Sequence, residues 1–273
     1  MKKSRNRHSF ILLFFVLIVS LLFTAVLTSA RAGKAAPMAE RVFMPMIARP
    51  KLEVHFAGHI GGANRGVAVQ GNYAYIGEGP KLTILDIANP AHPVVMGKTL
   101  PLPNIVQDVV VTGNYAYVVG VEYTLRVIDI ANPAAPFIIG SYDTPAPAYS
   151  LGVAVAGNYA YVADYYQGLR IIDVSNPAFP AEVGFYDTPG IAHDVTVRGS
   201  LAYVAGGFGL SIIDVSTPAT PIEAGFYDTP SSAHGVAVAG NYAYITAGGL
   251  RIIDVTNPAE PVETGFYDTP WYA

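Results

Sequence analysis

A single phrase recurs five times along this chain. Gly-Asn-Tyr-Ala-Tyr begins at Gly71, Gly113, Gly157 and Gly240, and the variant Gly-Ser-Leu-Ala-Tyr begins at Gly199. Each copy runs on to Asp-Ile/Val-x-Asn/Thr-Pro, starting at Asp86, Asp129, Asp173, Asp214 and Asp254. The glycines lie 42, 44, 42 and 41 residues apart. A fixed period near 40 residues restricts the chain to repeat architectures, in which one supersecondary unit is stacked on its neighbours.

The copy from Gly152 to Pro189 shows what the unit is. Gly152–Val155 is a short apolar strand, Ala156-Gly157-Asn158 a tight turn with Gly and Asn at positions that favour positive φ, and Tyr159–Val162 a second strand. Asp164–Gly168 is a loop, Leu169–Ile172 a third strand, Asp173–Pro177 a turn and Glu182–Tyr186 a fourth strand. Val, Ile and Tyr fill apolar runs of four to six residues ended by Gly or Pro, which favours strands over helices. Four short strands per period describe a propeller blade. The expected fold is all-β: a β-propeller with five complete four-stranded blades over about 61–102, 103–145, 146–189, 190–230 and 231–270. Hydrophobic residues make up 52% of the chain and charged residues 13%, ample for packed cores.

The third strand reads Leu-Thr-Ile-Leu-Asp, Leu-Arg-Val-Ile-Asp, Leu-Arg-Ile-Ile-Asp, Leu-Ser-Ile-Ile-Asp and Leu-Arg-Ile-Ile-Asp in the five copies. This resembles the LVIVD repeat family, and the resemblance runs from Leu52 to the C-terminus. It implies a β-propeller on bacterial and archaeal surfaces and no particular activity.

The N-terminal end is a separate object. Lys2, Lys3, Arg5 and Arg7 precede an apolar run from Phe10 to Leu27, and Ala30-Arg31-Ala32 has the form of a cleavage site. Residues 1–32 read as a signal peptide or, uncleaved, as a membrane anchor over residues 10–27. Residues 33–50 read as a linker and 51–273 as the repeat domain. Either fate exports the repeats to the cell surface, envelope or exterior. Without residues 1–32 the chain keeps 11 Lys+Arg against 20 Asp+Glu, a net charge of −9. That charge, with no Lys/Arg cluster, argues against a nucleic-acid partner. Cysteine is absent, which excludes disulfides and thiol chemistry.

Leu52–Gly58 matches the fourth strand of a blade (compare Val262–Asp268), yet all five copies already own a fourth strand. The surplus strand and the tail Thr269-Pro-Trp-Tyr-Ala273, which parallels the entry to another copy at Thr229–Ala233, lead to the expectation of an incomplete ring of six or more blades in a longer parent, the alternative being a closed five-bladed ring with an extra edge strand.

Comparing the copies separates scaffold from candidate site. The turns joining strands one to two and three to four are nearly constant, whereas the two–three loops and the blade connections vary, so function is expected on the variable face. The five repeated Asp residues, and Asp143, Asp187, Asp228 and Asp268, read as turn formers. Arg126, Arg170 and Arg251 read as paired or packed cations. The position two before each first-strand Val-x-Val is Arg65, Gln107, Leu151, His193 and His234. These five should ring the channel mouth, with Asp108 and Asp194 directly after two of them. His193, His234 and Asp194 are the candidates for metal binding or acid–base work. Tyr123, Tyr165, Tyr166 and Phe208 are expected to project from variable loops with Tyr149 nearby, suiting protein or sugar contact.

No phosphate-binding Gly loop, nucleophile elbow or His-Glu-x-x-His motif is present. The leading expectation is an exported, cofactor-free module that binds an extracellular protein or glycan. Its rivals are a propeller hydrolase or lyase using the His/Asp site, and an envelope protein that assembles through blade edges.

Overall fold

The computed structural model describes residues 65–144 and 148–269, all within one compact unit, Gly58–Ala273. Residues 1–32, the linker 33–50 and the strand expected at 52–58 lie outside the described residues. Blade 1 comprises β1 (Val67–Gln70), β2 (Tyr73–Glu78), β3 (Lys81–Asp86) and β4 (Val94–Lys98). Blade 2 comprises β5 (Val106–Thr112), β6 (Tyr115–Gly120), β7 (Tyr123–Asp129) and β8 (Phe137–Tyr142). Blade 3 comprises β9 (Gly152–Ala156), β10 (Tyr159–Ala163), β11 (Leu169–Asp173) and β12 (Ala181–Tyr186). Blade 4 comprises β13 (Ala192–Arg198), β14 (Leu201–Gly206), β15 (Gly209–Asp214) and β16 (Ile222–Asp228). Blade 5 comprises β17 (Gly235–Ala239), β18 (Tyr242–Thr246), β19 (Leu250–Asp254) and β20 (Val262–Tyr267). Each blade is one four-stranded antiparallel meander. This is a β-propeller of five blades whose sheets do not close into a ring: successive first strands adjoin from β1 through β17, and among the described residues β17 makes no comparable contact with β1.

The repeated phrase has a local physical cause. Gly71, Gly113, Gly157, Gly199 and Gly240 take φ between 57° and 60° at the first place of a two-residue hairpin. The following Asn or Ser does not share the positive φ expected of it, as befits a hairpin turn that needs only one such position. The five repeated aspartates accept the backbone N–H two residues on, at 2.8–2.9 Å, from Ala88, Ala131, Ser175, Ser216 and Thr256. They are turn formers, as their place before x-x-x-Pro indicates.

The cores lie between blades rather than within them. Tyr75, Leu82 and Ile84 of blade 1 pack against Val118, Ile128 and Ile130 of blade 2. Tyr117, Leu125 and Val127 pack against Val162, Ile172 and Val174 of blade 3. Tyr161, Leu169 and Ile171 meet Val204, Ile213 and Val215 of blade 4. Tyr203, Leu210 and Ile212 meet Ile245, Ile253 and Val255 of blade 5. Blades 2, 3 and 4 therefore each give one apolar face forward and receive one from behind, while blade 1 only gives and blade 5 only receives among the described residues.

Toward the rim the contact tightens onto glycine. A Cβ on Gly97, Gly140, Gly184 or Gly225 would run into the carbonyl oxygen of Pro133, Pro177, Pro218 or Pro258 in the next blade. Strand four thus needs glycine there because another blade's main chain lies against it. Gly184→Ala is expected to force the blade 3–4 contact apart, costing about 1–3 kcal/mol. A thermal melt some 5 °C lower would register it, and an unchanged melt would refute the close approach.

Tyrosine hydroxyls link the same edges. Tyr142 donates to Glu182 at 2.8 Å, Tyr186 to Glu223 at 2.7 Å and Tyr227 to Glu263 at 2.9 Å. In blades 3 and 5 a strand-three arginine meets the same carboxylate from within the blade, Arg170 at 3.5 Å from Glu182 and Arg251 at 2.9 Å from Glu263, whereas Arg126 of blade 2 makes a two-pronged pair with Asp143.

Candidate functional site

The strand ends that carry the variable loops gather the residues that break the repeat. Blades 2 and 4 begin with a longer first strand than the others, and in each the register slips by one residue. The slip falls between Val106 and Asp108 in β5 and between Ala192 and Asp194 in β13. Gln107 and His193 are the extra residues at these bulges, which re-aim a side chain out of the regular alternation.

The aspartate after each bulge ties two blades together. Asp108 accepts the N–H of Val109 at 2.8 Å and that of Val153, in blade 3, at 3.0 Å. Asp194 accepts from Val195 at 2.8 Å and from Val236, in blade 5, at 2.8 Å. The alternating glycines are the counterpart: a Cβ on Gly66 would meet the Asp108 backbone, and one on Gly152 would meet Asp194. Burial raises the Asp108 carboxyl to about 6, partly offset by its two N–H bonds. Burial first, and the Asp108 charge second, raise Asp194 to about 7.

Above these carboxylates the mouth residues pair off. Arg65 donates to Gln107 Oε1 at 3.2 Å, while Gln107 Nε2 is buried without a hydrogen-bond partner. The rings of His193 and His234, from adjacent blades, lie 4.5 Å apart at 47°. Ser232 Oγ lies 3.3 Å from His193 Nε2. Burial, then the charge of His234, lowers the His193 pKa.

The histidine pair continues into tyrosine. Tyr165 lies 6.0 Å from His193, 5.1 Å from Tyr149 and 4.4 Å from Tyr166 between ring centroids. Tyr166 is 80% exposed and Tyr149 40%. The structure thus joins Tyr166, Tyr149, Tyr165, His193 and His234 into one row across blades 3, 4 and 5. The loop that bears it is held in an uncommon shape. Tyr165 sits at φ 43°, one of two described non-glycine residues in the left-handed region, and its carbonyl accepts the Ala192 N–H at 2.8 Å. The residue that organises the loop does not stand out in the sequence. Asp164 is wholly buried and accepts from Ser150 Oγ at 2.8 Å, Thr144 Oγ1 at 3.1 Å and the Tyr149 N–H at 3.2 Å.

Two of the aromatic candidates fall outside the row. Tyr123 does not project from a loop: it opens β7 and is wholly buried, its hydroxyl 3.4 Å from the Val119 carbonyl oxygen. Glu122, at φ 64°, closes the turn just before it, and this sends Tyr123 inward. Phe208 is exposed but stands apart, its ring beside Gly190. Arg65 and Gln107 form the other side of the mouth. Chemically, the row offers aromatic surface edged by imidazole and hydroxyl groups. Both Asp194 oxygens are engaged by main-chain N–H groups, and among the described residues no three His, Asp or Glu side chains converge as a metal site.

Comparison with known proteins agrees with this architecture. A search of solved structures finds a protein described as functionally unknown from Desulfotomaculum acetoxidans DSM 771, at 13% identity and TM-score 0.65, matching 77% of this chain and 71% of that one. The Cps50 (Swd1) β-propeller domain of Myceliophteria_thermophila matches at 13% identity and TM-score 0.61, over 77% and 73%. The computationally designed Ika8 protein matches at 11% identity and TM-score 0.62, covering 76% of this chain, which spans only 62% of the designed chain's length. Likeness at such identities speaks for the fold alone. No curated protein matches. The LVIVD repeat pattern matches five times, over residues 61–100, 104–144, 148–188, 189–229 and 230–269. With five matching repeats, each folded as one blade, the chain belongs to the LVIVD repeat family.

Proposed function

We propose that this protein is an exported binding module that holds an extracellular protein or glycan partner on its variable face. The observation that carries the reading is the continuous row in which Tyr149 and Tyr166 both lie against Tyr165, which leads through His193 to His234, built only from positions where the copies differ. A buried network around Asp164 and a bulge at His193 hold the row in place, a cost in local regularity that a mere turn does not require. Tyrosine supplies apolar area with one polar tip and few rotatable bonds, which suits contact with either partner class. The basic, apolar N-terminus supports export, and the acidic repeat domain supports a partner other than nucleic acid.

The test is capture of surface proteins and a glycan array with residues 33–273, followed by Tyr166→Ala and His193→Ala. Loss of about tenfold or more in affinity with either change, and none with Phe208→Ala, is the expected result. Undiminished binding by the Tyr166→Ala/His193→Ala double variant would remove the row as the site.

A further inference from the structure

The four blade-to-blade contacts are one interface written four times. The giving half is a Tyr, a Leu, an Ile or Val, a strand-four Gly and, in three cases, a strand-four Tyr. The receiving half is an apolar face, a Pro-Ala turn and, in the same three cases, a strand-four Glu. Blade 5 carries a full giving half, in Tyr244, Leu250, Ile252, Gly265 and Tyr267. Among the described residues nothing occupies it. Tyr244, Leu250 and Ile252 are partly exposed, whereas their counterparts in blades 1–4 are buried. The place of a Gly265 Cβ has no atom of the described residues within 4 Å, where the other four glycines meet a proline carbonyl. Tyr267 is 65% exposed, and no carboxylate of the described residues meets its hydroxyl.

We propose that this face is a docking site for one further four-stranded blade of the same repeat. The four internal interfaces specify the occupant: a Val/Ile face, a Pro-Ala turn seated on Gly265, and a strand-four carboxylate for Tyr267. That last requirement separates such a blade from blade 1 of a second copy of this chain. Blade 1 offers Ile76, Leu85 and Ile87, all only partly buried, and the turn Asn89-Pro90-Ala91, but Val95 stands where Glu182, Glu223 and Glu263 stand in blades 3–5. A second copy docking through blade 1 would leave Tyr267 unanswered. The inference is independent of the variable-face reading, since it concerns the sides of the blades.

The experiment supplies the blade at high effective concentration by fusion. A copy of residues 230–269, which carries the complete receiving half, is placed after Thr269, and its melt is compared with that of the unextended chain. The expected result is a rise in Tm of roughly 5 °C or more, as stacked repeats give. Gly265→Val should abolish the rise in the fusion, and Tyr267→Phe should reduce it. Each should leave the unextended chain within about 1 °C of its original melt. A fusion that melts no higher overturns the proposal. So does an unextended chain that loses stability with Gly265→Val or Glu53→Ala, because its own N-terminal segment then already fills the face. A homodimer on size-exclusion light scattering that Gly265→Val dissociates would make a second copy the occupant, and overturns it as well.

Discussion

Asp164→Ala should lower the melting temperature by on the order of 10 °C and abolish partner binding at the aromatic row. Three donors depend on this carboxylate, all from the connection between blades 2 and 3: the Thr144 and Ser150 hydroxyls and the Tyr149 N–H beside them. Thr144 is tied in turn to Thr124, Oγ1 to Oγ1, at 3.0 Å. Hydrogen bonds to a charged group contribute about 1.5–3 kcal/mol each, and a buried donor left unmatched costs about 1–3 kcal/mol. Allowing the two hydroxyls to find other partners, the loss comes to about 3–4 kcal/mol, and for a domain of this size each kcal/mol moves the melt by about 2–4 °C. Asp164→Asn keeps one acceptor and should fall about halfway. Calorimetry of the three proteins decides the matter: an Asp164→Ala variant that melts with the unsubstituted protein would mean that the buried network holds nothing.

The second large effect is a dependence on pH that runs against the usual one. Asp108 and Asp194 titrate near 6 and near 7 in the folded protein, well above an ordinary carboxyl. The native state therefore keeps these protons longer than the unfolded chain does, so stability falls as pH climbs through both values. At about 1.4 kcal/mol per pH unit of displacement, the pair should make the fold roughly 4 kcal/mol less stable at pH 8 than at pH 5. Two groups of residues oppose them at the acid end. His193, held low, favours the fold as pH rises toward its ordinary value. Asp173, Asp214 and Asp254, held low chiefly by bonds from Ser175, Ser216 and Thr256, lose their contribution below about pH 4. The melt should therefore peak between about pH 4 and 5. Asp108→Asn and Asp194→Asn should each flatten the alkaline slope, though Asn also gives up one of the two main-chain bonds. An alkaline slope unchanged in the double variant would place the titration elsewhere.

The fold was legible because its determinants are local and repeated. A glycine with positive φ, an Asx turn and a Val/Ile/Tyr run each declare themselves within a few residues, and five copies average away the exceptions. The candidate row was legible by subtraction: Tyr149, Tyr165, Tyr166, His193 and His234 stand where the copies disagree. What remained hidden depends on geometry that letters do not encode. Tyr123 reads as a loop residue, but the tight turn at Glu122 lengthens β7 and carries its ring inward. Asp164 looks like any loop aspartate, and its role rests on hydroxyls 14 and 20 residues upstream. The bulges left a trace, Asp108 and Asp194 in place of Gly, but that the carboxylates would cross to the next blade follows only from the approach of neighbouring first strands.

Because every core is shared, among the described residues blades 2, 3 and 4 are gripped from two sides and blades 1 and 5 from one. Fraying should start at the two ends and travel inward, one sheet at a time. The aromatic row runs across this gradient: its tyrosines grow from blade 3, in the firm middle, and His234 from blade 5, at a loose end. A ligand lying along the whole row would clasp the fraying sheet to the steady one, and so would slow amide exchange in β17–β20, strands that it barely touches.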